Sequence, residues 1–416
     1  MSSNSQPDAN SNSPHWRASR WRLVLMLAAL GMLGPFTVDA YLPAFAGIGA
    51  DLHATPAQMQ QTLSAFFLAW AFMNLFHGAL ADSLGRRPVV LGGLALFTLA
   101  SIGCAFSQTL GQLVFFRAMQ GLAIGVGNVV ARAVIRDMYA LAQAQRLMSQ
   151  VAILHGLAPV LASLVGGWLY ALYGWRSVFT MLVALASALW FTAWRALPET
   201  LAPEHVQSLR LRPLLQGYRQ LLSDPRIALL ALGNALPFCG VFGYVLSSPY
   251  FMGEHLHLAP TQFYWLFAML VSGLISGAWV SGRLAGRMTP ARQIGIAFGV
   301  MLSIALANLL ATQWFMPHVS WSLLPIAGFT FGWALAMPSI TLLMLDLYPQ
   351  RRGMASSLQS VAASGTIGLT SGLLVPLILH STGLLALAML AFALCGGLCL
   401  LELRRRWPET GQTLAH

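Results

Sequence analysis

From Leu23 onward the chain is a succession of apolar runs, each about 20 residues long, separated by short segments that hold nearly all of its charge. Runs of that length cross a hydrocarbon core of about 30 Å. Charged residues make up 8% of the sequence, against about a quarter in a water-soluble domain. Most of the surface must therefore face something other than water. Helix is the open-ended element that satisfies its own backbone inside lipid, so the expected fold class is an all-α polytopic membrane protein embedded in the lipid bilayer.

Breaks between the runs place spans near 23–46, 58–80, 88–106, 109–131, 147–172 and 175–195, then 226–250, 261–282, 291–312, 321–345, 354–379 and 382–402. The longest interior break separates six spans from six. The layout expected is a tail over 1–22, a six-helix half over 23–195, a central loop over 196–225, a second half over 226–403 and a tail over 404–416. Such a division suggests two halves around a central pathway. In the loop, Leu209, Leu211, Leu214, Leu215, Tyr218 and Leu221 alternate with arginines, which suits a segment lying on the membrane face.

The sequence has no lysine, so all 23 basic residues are arginine. One set of loops holds Arg17, Arg20 and Arg22, Arg86 and Arg87, Arg132, Arg136 and Arg146, Arg195 through Arg226, Arg283, Arg287 and Arg292, Arg351 and Arg352, and Arg404 to Arg406; the opposite set holds Arg176. Positive loops stay cytoplasmic, which predicts both termini inside and a place in the cell inner membrane. This distribution, rather than a phosphate-binding face, accounts for the net charge of +11 and excludes nucleic acid as a partner. The first run continues through Tyr41 and Leu42 with further spans behind it, so it reads as a span and not as a cleaved signal. Cys104, Cys239, Cys395 and Cys399 fall within apolar runs, and no cluster has metal-ligand spacing. With neither a metal site nor a nucleophile beside an acid/base pair, enzymatic function and any cofactor are not expected. A channel, the other membrane class, would pass ion currents beyond transporter turnover rates.

Charge inside the hydrocarbon is costly and marks function. Two ionisable residues are deep: Asp39 in the first span and Arg117 in the fourth. Counted along their helices, both lie about 9–12 Å below the arginine-poor surface, a depth at which they can pair. One reading is a staple between helices. The other is a coupling pair, whose carboxylate binds and releases a proton as its pairing with arginine alternates and where substrate competes for the same charge.

Between spans 2 and 3 the chain reads Gly78-Ala-Leu-Ala-Asp82-Ser-Leu-Gly85-Arg86-Arg87-Pro88. This string resembles the signature loop of the major facilitator superfamily, GxLaDrxGRRxxl. Arg117-Ala-Met-Gln120-Gly121 is similar to that superfamily's fourth-helix motif RxxQG. Asp39-Ala-Tyr41-Leu42-Pro43 resembles the DxYLP of the Bcr/CflA drug-efflux family, and Arg132 to Tyr139 and Pro198-Glu199-Thr200 fit it too. The resemblance implies a major facilitator fold of twelve helices, monomeric, which exchanges protons for small amphipathic drugs of the chloramphenicol or bicyclomycin type by alternating access, with the proton gradient as its energy source. It implies a conformational lock in which Asp82 contacts Arg132 or Arg136 and the start of span 11 near Ser356, while Arg86 approaches Asp137. In span 5, Gly156, Pro159, Gly166 and Gly167 match the family's antiporter motif GxxPxxGPxxGG, but Ala162-Ser163 stands where it has Gly-Pro. The echo of the signature loop between spans 8 and 9, Gly282 to Arg287, lacks an acid.

An exporter of amphipathic compounds needs an adaptable apolar cavity. Met32 and Phe36 share a face of span 1 with Asp39, and Tyr41 follows. Phe238 and Phe242 recur at helical spacing in span 7, and Trp333, Met337 and Met344 in span 10. Where an acid would make a second titrating site, in the inner half of span 1, Gly31 stands, so one deep proton site is expected. The competing reading is a carrier of one metabolite, working by symport or uniport.

Overall fold

A computed structural model of the chain describes residues 20–138, 141–201, 204, 206 and 210–408. The expected tails 1–22 and 404–416 lie largely outside these residues, as does part of the central loop. Among the described residues every regular element is helical. Among the described residues eleven helices are long and apolar enough to cross a membrane, and Pro56–Asn74 with His77–Leu84, which bend by 50° at their junction, make a twelfth when taken as one broken span.

In chain order the spans are Arg20–Asp39, this bent pair, Arg86–Phe106, Leu110–Met138, Leu141–Tyr173 and Arg176–Ala196, then Pro225–Leu246, Tyr264–Leu284, Pro290–Trp314, Leu324–Leu347, Arg352–Leu369 with its continuation to Ile378, and Thr382–Arg406. A short linking helix, Leu211–Leu222, stands between spans 6 and 7.

Two departures from the apolar pattern have local causes. Span 1 stops at Asp39 and the chain continues through a 3₁₀ turn, Leu42–Ala44, with Pro43 inside it; Pro43 has no N–H to donate to Asp39 O, and the bonds on either side tighten to i→i−3, Tyr41 N–H to Val38 O and Ala44 N–H to Tyr41 O. Span 2 breaks without proline or glycine. There the ladder tightens to i→i−3 bonds, Leu75 N–H to Phe72 O and Phe76 N–H to Met73 O, the pattern of a helix end. Apolar periodicity carries no trace of such a break.

Span 2 packs on span 11 and span 5 on span 8, joining the two sets of six. At the arginine-poor side span 2 is sewn to spans 7 and 11 by polar groups. Gln60 Nε2 donates to Leu246 O at 3.0 Å, Gln61 Nε2 to Gly372 O at 3.1 Å and Ser64 Oγ to Gly368 O at 2.8 Å. Ser371 Oγ donates to the Gln60 side chain at 2.9 Å. Span 11 makes a π turn over Thr370–Leu374, which loosens its own ladder, and carbonyls around that turn are served from the opposite half. Gly167 meets Pro260 and Thr261 so closely that a Cβ there would strike their backbone. This side is closed.

On the arginine-rich side, Asp224 caps span 7 by accepting from Arg226 N–H at 2.9 Å, and Tyr348 donates to it at 3.1 Å. Burial pushes the Asp224 carboxyl up, but the bonds from Arg226 and Tyr348 outweigh it and hold the group below the usual carboxylate range.

Candidate functional site

The end of span 1 crosses spans 4 and 5 where their sequences are smallest. Gly166 lies against Ala40, where a Cβ would overlap the Ala40 backbone, and Gly121 lies in the same way against Phe66 O of span 2. These glycines let helix backbones approach within the range that small residues permit. They bring Asp39, Tyr41, Phe66 and Arg117 into one region.

Arg117 is wholly buried. One terminal nitrogen donates to Thr37 O at 3.1 Å and to Gln120 Oε1 at 2.9 Å, and Gln120 Nε2 donates onward to Ser101 Oγ at 2.8 Å. The guanidinium carbon lies 4.4 Å from the Tyr41 ring centre and 4.6 Å from that of Phe66, within cation–π range. Its Nε and second terminal nitrogen are buried without a partner.

The expected ion pair is not formed. Asp39 is 5% exposed and makes no salt bridge with Arg117. Residues 37 and 39 stand about 200° apart around a helix. The turn that presents Thr37 O to the arginine therefore carries the Asp39 side chain to another face. Counting along the helices gives depth but not azimuth, because the end of the helix and its rotation are set by tertiary packing.

Tyr41 is fully buried, its hydroxyl 2.8 Å from Thr62 Oγ1 and its ring against Phe45 and Phe179. It shields Arg117 rather than lining an open cavity, a correction to its expected role. Met344 is likewise fully buried. Met32 and Phe36 are half-buried on span 1, and Met337 is exposed on span 10. Phe238, Phe242 and Trp333 do come together. Phe238 stacks on Trp333 with centres 4.5 Å apart, Phe242 joins Phe238 at 5.3 Å, and Phe67 of span 2 meets Phe242 at 5.8 Å. Trp333 Nε1 donates to Asn234 O at 3.1 Å. This aromatic group bridges the halves. Phe67 and Asn234 were absent from the sequence reading, although Phe67 lies one residue from Phe66 in an aromatic-rich stretch.

The loop after span 2 forms a cage around Gly85. At φ +96° this position admits glycine readily, and a side chain there would run into Glu199. Glu199 accepts from the Arg86 N–H at 2.9 Å and the Arg87 N–H at 3.2 Å, a carboxylate at the start of span 3 where the helix dipole favours it. Arg86 pairs with Asp82 and, at 3.4 Å, with Asp137. Arg87 donates to Trp194 O at 2.7 Å, and Thr200 to Asp137 at 3.3 Å. Asp82 thus pairs within its own loop, where the resemblance implied a partner in span 4 or at Ser356 of span 11. Arg132 and Arg136 are exposed on the last turns of span 4, and Gly78 has open space around it. Losing the charge in Glu199→Gln is expected to cost about 1 kcal/mol of stability, read as a lower thermal midpoint in detergent with the helical content unchanged.

In span 5, Pro159 lies inside the helix and Gly156 faces open space. Ala162 and Ser163, which depart from the motif, are both fully buried, and the Ser163 hydroxyl has no partner.

The pattern described as Major Facilitator Superfamily matches residues 27–371. The chain is 30% identical to Multidrug resistance protein D of Escherichia coli over 94% of its own length and 98% of that protein's. It is 28% identical to a Bicyclomycin resistance protein homolog of Haemophilus influenzae over 68% and 71%. A bacterial homolog of the human lysosomal transporter Spinster, solved in an inward-facing and unoccupied conformation, superposes with a TM-score of 0.69 at 15% identity, covering 92% of this chain and 96% of that one. A bundle of this topology, matched along nearly its whole length, belongs to the Major Facilitator Superfamily.

Proposed function

We propose that this chain is a multidrug exporter of the Bcr/CflA type, a monomer of the cell inner membrane that exchanges protons for small amphipathic drugs by alternating access. The arginine-rich face, with both termini, is cytoplasmic. The observation that carries the coupling is Asp39, the one acid buried among the described residues. It sits at the end of span 1, two residues from the Thr37 carbonyl that holds Arg117, an arginine that has no carboxylate of its own. A proton, an Arg117 contact and a cationic or hydrogen-bonding substrate compete there for one carboxylate. The sewn seam at Gln60, Gln61 and Ser64 holds the arginine-poor side shut, which corresponds to a state that loads from the cytoplasm. Protonation of Asp39 from outside would accompany drug release once that seam opens. The aromatic group of Phe67, Phe238, Phe242 and Trp333 offers flat apolar surface to amphipathic cargo. Names of the relatives that speak of multidrug and bicyclomycin resistance support this cargo class.

Expression in an efflux-deficient host with a drug-susceptibility panel tests the reading. Resistance to several unrelated amphipathic drugs is expected, and collapsing the proton gradient should raise drug accumulation. A fall in accumulation on collapse would instead identify an uptake symporter and overturn the proposal.

A further inference from the structure

The linking helix between the halves has two faces. Its docked face is Gly217, Tyr218 and Leu221, all buried. Gly217 lies against the end of the Met354 side chain of span 11, which a Cβ there would displace. The Tyr218 hydroxyl donates to Leu75 O at 2.9 Å, at the break in span 2, and also reaches Ser357 of span 11. Arg351 donates to Gln220 Oε1 at 2.7 Å. The helix is thus a strap with one anchor in each half.

Beside the docked face runs an unpartnered one. Leu211, Leu215 and Leu222 are 55%, 55% and 58% exposed, and they share an arc of about 40° on the helix. Arg212 and Arg219 border that arc, both exposed. The docking partners fix the level of the helix: Leu75 is inside a membrane-spanning pair and Met354 is in the first turn of span 11. An apolar edge at this level, flanked by arginines, is placed to enter the acyl boundary with its cations among phosphates.

We propose that the linking helix binds anionic phospholipid of the adjoining leaflet, and that lipid bound there holds Tyr218 in place and so stabilises the strap between spans 2 and 11. Leucines provide depth, Arg212 and Arg219 provide the preference for anionic headgroups, and the break at Leu75 receives the result.

The test uses the full chain in nanodiscs of pure phosphatidylcholine and of phosphatidylcholine with phosphatidylglycerol, followed by hydrogen–deuterium exchange. Each arginine near an anionic surface contributes about fivefold, so exchange across 211–222 should slow by about tenfold or more in the anionic discs. The double variant Arg212→Gln/Arg219→Gln, confined to exposed positions, should lose that difference. Tyr218→Phe should keep the lipid response of 211–222 but exchange faster around 75–80. Equal exchange of the wild type in both lipids overturns the proposal, as does a lipid response that survives in the double variant. Neither outcome bears on cargo or direction of transport.

Discussion

Asp39→Asn is expected to yield a folded, membrane-inserted protein that still binds drug but no longer exports it against a gradient. Reconstituted into vesicles, the variant should show no drug-dependent proton flux, and in the efflux-deficient host it should give the susceptibility of cells carrying no transporter. The amide has the size and shape of the carboxyl, so packing at the crossing of spans 1, 4 and 5 is preserved. What it lacks is the ability to take up and release a proton. A carboxylate held in an apolar crossing is costly as an anion, and that cost falls when water, a cation or a proton reaches it. Alternation of these partners is the coupling. The effect should be asymmetric: exchange of drug down its own gradient survives, while accumulation driven by a pH gradient disappears. An Asp39→Asn protein that concentrates drug at the wild-type rate would remove Asp39 from the mechanism.

Much of this fold is written in the simplest features of the sequence. Lipid leaves few choices to a chain of apolar runs, and arginine placement sorts its loops into two sets. Helix ends and rotations were not legible. Span 1 stops at Asp39 although the apolar run continues, and span 2 breaks with no proline to mark it. Those details decide the site: they turn Thr37 O, and not the Asp39 carboxylate, toward Arg117. The same limit hid the seam. Gln60, Gln61 and Ser64 are ordinary polar residues at the start of a span, and their partners are backbone carbonyls far off in sequence, 186 residues for Gln60 and Leu246 and 304 for Ser64 and Gly368. Motifs fared better where backbone geometry itself demands a residue, as at Gly85 and Gly166. Glu199 was visible as part of Pro198-Glu199-Thr200, but its task, capping span 3 across more than a hundred residues (|i−j| = 113), required coordinates.

Arg117→Met should separate stability from function. The guanidinium is fully buried, two of its nitrogens lack partners, and no carboxylate balances it. Two hydrogen bonds and two aromatic rings offset part of that cost. Removing an uncompensated buried charge recovers several kcal/mol of desolvation, against about 1–3 kcal/mol for leaving Gln120 Oε1 without its donor. The variant should therefore melt at or above the wild-type temperature in detergent, with Gln120 still held by Ser101. Export should nevertheless fall to background, because the charge that Asp39 meets in another conformation is gone. Arg117→Lys distinguishes the two roles further. It keeps the charge but not the planar group that lies against Tyr41 and Phe66, so partial, proton-dependent export is expected to return. If Arg117→Met were strongly destabilised while its surviving molecules exported normally, the arginine would be a staple and nothing more. A stable, inactive Arg117→Met protein, with partial rescue by lysine, would instead mark it as the standing positive charge against which Asp39 is protonated and released.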